Sequence, residues 1–307
     1  MKSKAKSLAP VTVQQTVGDA FRDILTHNLS LLAAWEEAAR IGDDIEGVHQ
    51  LRVAFRRLRS ALRVFRAAVP RATTQAWADE MRWLANQFGP ARDLDVFIDE
   101  GLHALSGKLP LPGEEKLADL AQRHREQAYQ AVREMLASDR YGAFKQNFSR
   151  WLETAGWLNE ELSDKHRQRL EKPVVPFARR LLTRQRRKVV ATGEDIDQNV
   201  PQDMHLLRIA CKRLRYAAEF FNPLFADMDA FITHLKQLQD LLGVMNDVAV
   251  MHHLLETLLA GETDPETLQY AGGLVGWRTR QYYEIKNSFN DRWQEFIEAD
   301  QPWRVIV

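Results

Sequence analysis

The chain has 307 residues, 45% apolar and 27% charged, and its 42 Lys plus Arg balance 42 Asp plus Glu. This is the composition of a globular protein with one large core or two ordinary ones, and the neutral total argues against a generic basic protein that coats nucleic acid. No apolar run approaches the ~20 residues of a membrane span, the opening MKSKAKSLAPVTV lacks a hydrophobic stretch of signal length, and the one cysteine, Cys211, has no internal disulfide partner, so a cytoplasmic location is the expectation.

Taken from the N-terminus, residues 1–11 read as a disordered tail, and almost everything after them reads as helix. LTHNLSLLAAWEEAAR, AQRHREQAYQAVREML and FITHLKQLQDLL place apolar residues three and four apart, the period of a helix with one buried face. Alternating β-branched runs bounded by turn signals are absent, so no sheet is predicted. Breaks are predicted at IGDDIEG (Ile41 to Gly47), SGKLPLPG (Ser106 to Gly113), LEKPVVP (Leu170 to Pro176), DQNVPQD (Asp197 to Asp203) and AGETDPE (Ala260 to Glu266). In the last, Thr263 or Asp264 stands where it can cap the next helix, with Pro265 in the first turn.

The sequence also repeats. Phe21 to Arg59 matches Phe177 to Arg215 without a gap, so HQLRVAFRRLRSALRVF (His49 to Phe65) returns 156 residues later as HLLRIACKRLRYAAEFF (His205 to Phe221). RWLANQFGPARDLDVF (Arg82 to Phe97) then aligns with KQLQDLLGVMNDVAVM (Lys236 to Met251) at an offset of 154. The reading is all-α: two pseudo-symmetric helical bundles, residues 12–156 and 170–307, with a linker at 157–169. Duplicated units commonly pack about a pseudo-two-fold axis, which would set the two copies of the basic helix face to face, with a basic channel between or along the bundles.

On a helical wheel of ~100° per residue, Arg52, Arg56, Arg59 and Arg63 follow His49 within an arc of roughly 80°. Leu51, Phe55, Leu58, Leu62 and Phe65 take the opposite side, the core face. The second copy repeats this, with His205, Arg208, Lys212 and Arg215 against Leu207, Cys211, Leu214, Ala218 and Phe221. Cys211 therefore belongs to the core and not to a reactive site, while Arg57 and Arg213 flank the stripes. A basic stripe is often just a solvated face. Here no Asp or Glu occurs between Gly47 and Ala78, so the arginines repel one another along the helix by a few tenths of a kcal/mol per close pair. Arginine over lysine favours forked bonding to oxyanions. A row of guanidiniums one helical turn apart suits a ligand with many regularly spaced negative charges, bound with a steep salt dependence.

These motifs, HxLRVxxRRLR in one half and HxLRIxxKRLRYxxE in the other, each followed by a helix with a glycine and then an aspartate (FGPARD, LLGVMND), resemble the CHAD domain, the conserved histidine α-helical domain. The resemblance covers essentially the whole chain. It implies a non-catalytic fold of two helical bundles that binds inorganic polyphosphate along a basic channel, with no cofactor, and that associates in some members with polyphosphate granules. By motif position the implied contacts are His49, Arg52, Arg56, Arg59, Arg63, Arg82, His205, Arg208, Lys212, Arg213, Arg215 and Lys236, with Arg57 beside them. Asp93 and Asp247 match the motif aspartates and would orient basic side chains, because a carboxylate facing polyphosphate is repelled. Tyr216 and Glu219 are expected to position neighbouring arginines. Glu219 stands where the first half has Arg63, so the second stripe is a turn shorter.

Motifs for catalysis are missing. There is no ExExK triphosphatase motif, phosphate loop, HExxH pair or cysteine pair with metal spacing. His252 and Glu256 in MHHLLE are read as a surface pair before a metal edge. His49 and His205 are read as direct phosphate contacts that strengthen below about pH 6.5, with bonding to a helix start as the plainer role. The rival functions are a general polyanion or nucleic-acid binder, a phosphohydrolase acting through the histidines, and a scaffold. No aromatic residue lies within the cationic arc to stack bases, hydrolysis normally needs a metal or an activated nucleophile, and a scaffold leaves the recurring stripe unexplained.

Overall fold

The computed structural model describes residues 11–158, 162–194 and 196–304, apart from the side chains of 245–249. It is 82% helical and, among the described residues, without a strand. The first half supplies α1 (Val17–Ile41), α2 (Glu46–Val64), α3 (Arg71–Gln87), α4 (Gly89–Val96), α5 (Glu114–Ala137) and α6 (Asp139–Glu153). After α7 (Asp164–Leu170), the second supplies α8 (Val174–Gly193), α9 (Pro201–Phe221), α10 (Met228–Leu258), α11 (Pro265–Lys286) and α12 (Phe289–Glu298). The helix order of the first half thus returns in the second, with α10 in the place of α3 and α4.

Local chemistry accounts for the boundaries that place the basic helix. Thr16 and Asp19 form a capping box at the start of α1. The helix ends at Gly42 in the left-handed region (φ 82°), under the ring of Tyr129. Gly47 lets α2 press onto α1, since a Cβ there would stand 2.4 Å from the Ala39 nitrogen. Between α3 and α4 the chain breaks because Pro90 has no N–H and cannot continue the ladder. Val244 occupies the matching position in α10, which runs on unbroken. At α11 the cap is Asp264, whose side chain accepts from the Thr267 N–H at 3.0 Å.

The apolar stripes lie where the sequence puts them: Leu51, Phe55, Leu58, Leu62 and Phe65 on the first half's basic helix, and Leu207, Cys211, Leu214, Ala218 and Phe221 on α9, are all buried. Both halves enter one core. Phe65 and Phe221, equivalent by the repeat, meet at 5.9 Å between ring centres. Phe21 packs on Phe65 at 5.3 Å and its equivalent Phe177 on Phe221 at 6.3 Å. Reciprocal backbone bonds join the starts of α1 and α8, from the Val17 N–H to Lys172 and from the Val174 N–H to Gln15. A second cluster unites Leu94, Phe97 and Leu117 with Leu255, Leu258, Tyr270 and Leu274.

Two segments depart from their reading. The stretch taken as a linker holds all of α7 but its last residue and buries Trp157 and Leu162; residues 159–161 lie outside the described set. Of the segment read as a disordered tail, 1–10 lie outside it too, and Val11 is a core residue.

Candidate functional site

The polar face of α2 divides into two clusters. Near its start His49, Arg52 and Arg56 meet Arg92 and Asp93 of α4. Arg52 donates from Nη1 to the Ala85 carbonyl at 2.9 Å, an acceptor near the end of α3. Gly89 leaves room for that guanidinium, since a Cβ there would meet it at 3.3 Å. Asp93 is held above the ordinary carboxylate range by burial, against the opposing pull of Arg52 and Arg92. His49 departs from the sequence expectation. Burial first, then Arg92, with Arg56 and Arg52 adding and Glu46 opposing, pushes its pKa down to about 4. Without a bound anion the imidazole is neutral at pH 6.5 and gains no charge just below it.

The second cluster lies at the other end of α2. Arg63 is held below the usual guanidinium range by partial burial, then by Arg213 of α9, Arg66, Arg59 and Arg82 of α3. Arg59 is lowered by burial and by Arg82, with Asp79 opposing. Asp79 pairs with Arg82 at 3.4 Å across an exposed turn. Five guanidiniums from both halves of the repeat thus gather with the Asp79 carboxylate beside them.

On α9 the buried ring of Tyr216 lies between Arg56, at 5.7 Å, and Arg215, at 5.3 Å. Glu219 bonds to Arg57 at 2.5 Å and lies 3.7 Å from Arg215. Arg57, read from the sequence as a flanking contact, is engaged within the protein: its Nε donates to Asn28 at 2.9 Å and its guanidinium lies 5.3 Å from the Phe220 ring centre. The charge is used in joining the halves. The repeat makes Arg213 and Arg63 the equivalents of Arg57 and Glu219. One side of the α2–α9 contact is therefore a closed ion pair, and the other brings two arginines together.

A family model for the CHAD domain matches residues 23–256, more than half of the chain. The chain belongs to the CHAD domain family. The CHAD domain from the plant Ricinus communis superposes with a TM-score of 0.81 at 26% identity, covering 98% of each chain. PptA from Streptomyces chartreusis shares the fold, with a TM-score of 0.65 at 16% identity over 91% of this chain and 100% of that one. Two uncharacterized proteins of Mycobacterium tuberculosis, from strains CDC 1551 / Oshkosh and H37Rv, are 29% identical over 294 residues, 93% of this chain and 53% of theirs. The chain spans about half the length of these curated relatives.

Within this CHAD domain His49, Arg52 and Arg56 of α2 gather with Arg92 and Asp93, Arg59 and Arg63 gather with Arg82 and Arg213, and the Tyr216 ring carries both Arg56 and Arg215. Arg208 and Lys212 are half-buried along α9, while His205 and Lys236 are exposed. The side chain of Asp247 lies outside the described set. Two cluster members were missed by the sequence reading. Arg66 sits one turn beyond the stripe inside the acid-free window, and Arg92 sits inside the quoted FGPARD motif. His252 and His253 each face Glu256 at 3.4 Å on the exposed side of α10. No described helix is long and apolar enough to cross a membrane.

Proposed function

We propose that this CHAD domain binds inorganic polyphosphate without catalysing its cleavage, along the basic face of α2 and the adjoining edge of α9. The observation that carries the reading is the gathering of Arg59, Arg63, Arg66, Arg82 and Arg213, whose mutual repulsion and burial lower the pKa of Arg59 and Arg63. An anion that neutralises them recovers that cost. The two α2 clusters lie roughly 16 Å apart from Arg52 to Arg63 at 1.5 Å per residue, so one small anion spans only one of them and a chain of phosphates spans both. Polyphosphate binding is what the family is associated with in general.

Other features support polyphosphate over nucleic acid and over hydrolysis. Tyr216 offers no free face for base stacking, being buried with arginines over its ring. Trp83, beside Arg82 in sequence, is partly exposed and already carries the Arg140 guanidinium over its ring at 3.5 Å. His49, with its pKa near 4, is unprotonated at neutral pH and so unsuited to act as a general acid. Cytoplasmic residence and association with polyphosphate granules belong to the same proposal.

The test is a titration with labelled long-chain polyphosphate at several salt concentrations, with duplex and single-stranded DNA as competitors. Expected are a steep fall of log K with log salt and poor displacement by DNA. Displacement by DNA at equal or lower concentration would reduce the site to a general polyanion groove.

A further inference from the structure

A second basic recess lies outside the α2 clusters. It is a cavity of about 320 Å³ bounded by Val17 of α1, Ala67 just beyond α2, Arg169 of α7, Lys172, and Phe177, Arg180, Leu181 and Arg184 of α8. Four of its lining residues are cations and none is an acid. Arg169 is held in place, donating from Nη1 to the Ala67 carbonyl at 2.7 Å, which leaves its remaining N–H groups for other acceptors. Among the described residues no carboxylate pairs with Lys172, Arg180 or Arg184. α8 has no acid along its length to compensate them, and Arg180 and Arg184 stand one turn apart, where like charges repel.

The internal repeat supplies a comparison within the molecule. At the same offset of 156, the counterparts of Arg180 and Arg184 are Ile24 and Asn28. Ile24 and Asn28 are fully buried there. Phe21, the counterpart of Phe177, is covered by Trp157 at 5.1 Å. The first half thus fills these two places with buried uncharged side chains, whereas the second half puts exposed arginines there.

We infer that this recess is a separate site for a phosphoryl oxyanion. Its size falls at the lower end of the ~300–1,000 Å³ typical of small-molecule sites, which suits a short oligophosphate and not a stretched polymer. Three guanidiniums lining one recess favour the forked bonding that phosphate accepts. The same chemistry has two sources: a free oligophosphate, or the end of a long chain lying on α2, since Ala67 adjoins Arg66 of the second cluster. The inference stands apart from the proposed function, because the recess shares no residue with the α2 clusters.

The probe is inorganic tripolyphosphate, titrated by calorimetry into protein carrying Arg59→Gln and Arg63→Gln, in which the α2 face is weakened. Adding Arg180→Gln and Arg184→Gln is expected to weaken the remaining binding at least tenfold. Both side chains are exposed, and Lys172→Gln, an exposed loop substitution, serves as a second variant with a several-fold loss. A change of less than twofold in both would overturn the inference. In the wild-type protein, preloading with long-chain polyphosphate separates the sources: unaltered tripolyphosphate uptake at the recess identifies a free ligand, and its displacement identifies the chain end. If long-chain polyphosphate binds no better than DNA, the polymer reading fails and the recess result still stands.

Discussion

His49 shows how the site acts on a single side chain. Its pKa of about 4 lies below the unfolded value of 6.5, so between those two values the unfolded chain holds more protons than the folded one. Stability contributed by the neutral imidazole is then fully present above 6.5 and is lost as pH falls toward 4. His49→Gln should flatten that part of the stability–pH curve, measured by urea denaturation from pH 7 to 4. A polyanion beside Arg52, Arg56 and Arg92 cancels the charges that help to depress the imidazole. Binding should therefore take up a proton as pH approaches 5, seen in calorimetry as a heat that varies with the buffer's ionisation enthalpy and vanishes in the Gln variant. Arg63 makes the reverse trade of stability against ligand. Its stated neighbours are all arginines, so Arg63→Gln should stabilise the ligand-free protein by roughly 0.5 kcal/mol at low salt, a gain that fades as salt is added. A lower melting temperature in that variant would show that the guanidinium serves packing instead.

Between elements, the pairing of α2 with α9 is asymmetric, and the asymmetry assigns different work to equivalent residues. Arg57→Gln or Glu219→Gln should each cost about 2 kcal/mol, because each leaves a partly buried charge without its partner. The double variant should lose less than the sum, and the double-mutant cycle reads the coupling directly. Polyphosphate affinity should stay within twofold in Arg57→Gln and fall clearly in Arg59→Gln, which separates the joint from the binding face. The α2 stripe, its core side and the five Gly- and Pro-rich breaks were legible in the sequence because helical period and turn chemistry are local. The supporting places of Tyr216 and Glu219 could be anticipated from the repeat, since Glu219 breaks it where Arg63 would recur. What local pattern did not carry was direction across the interface. Arg57 sits one position from Arg56, and only the packing of α9 turns one toward Glu219 and Phe220 and the other toward Tyr216. Arg92 was hidden for the same reason, lying on α4, which the fold brings back to α2, whereas Arg66 follows α2 directly and was legible in the acid-free window. The depressed pKa of His49 likewise depends on Arg92 and on burial, neither of which its own helix announces.

At the scale of the whole molecule, two halves that read as separate bundles are built as one unit. Phe21, Phe65, Phe177 and Phe221 pack into a single group through contacts of 5.3 to 6.3 Å, and the second apolar cluster joins α4 and α5 to α10 and α11. Such sharing sets how rigidly α2 and α9 are held, and so how long the arginines stay close in spite of their repulsion. Phe65 touches three of the other aromatic rings in both halves, which makes it the sharpest probe. Phe65→Ala removes a fully buried ring and should destabilise by about 3–5 kcal/mol, lowering the melting temperature by roughly 5–8 °C for a chain of this length. If the halves are one cooperative unit, hydrogen exchange in α1 and in α8 should accelerate together and by the same factor, and unfolding should remain a single transition. If the halves are independent, the half that keeps its own packing should retain its protection while the other loses it. Polyphosphate bound across both should then restore their common transition, because a ligand that engages only the assembled face stabilises the joined state by mass action.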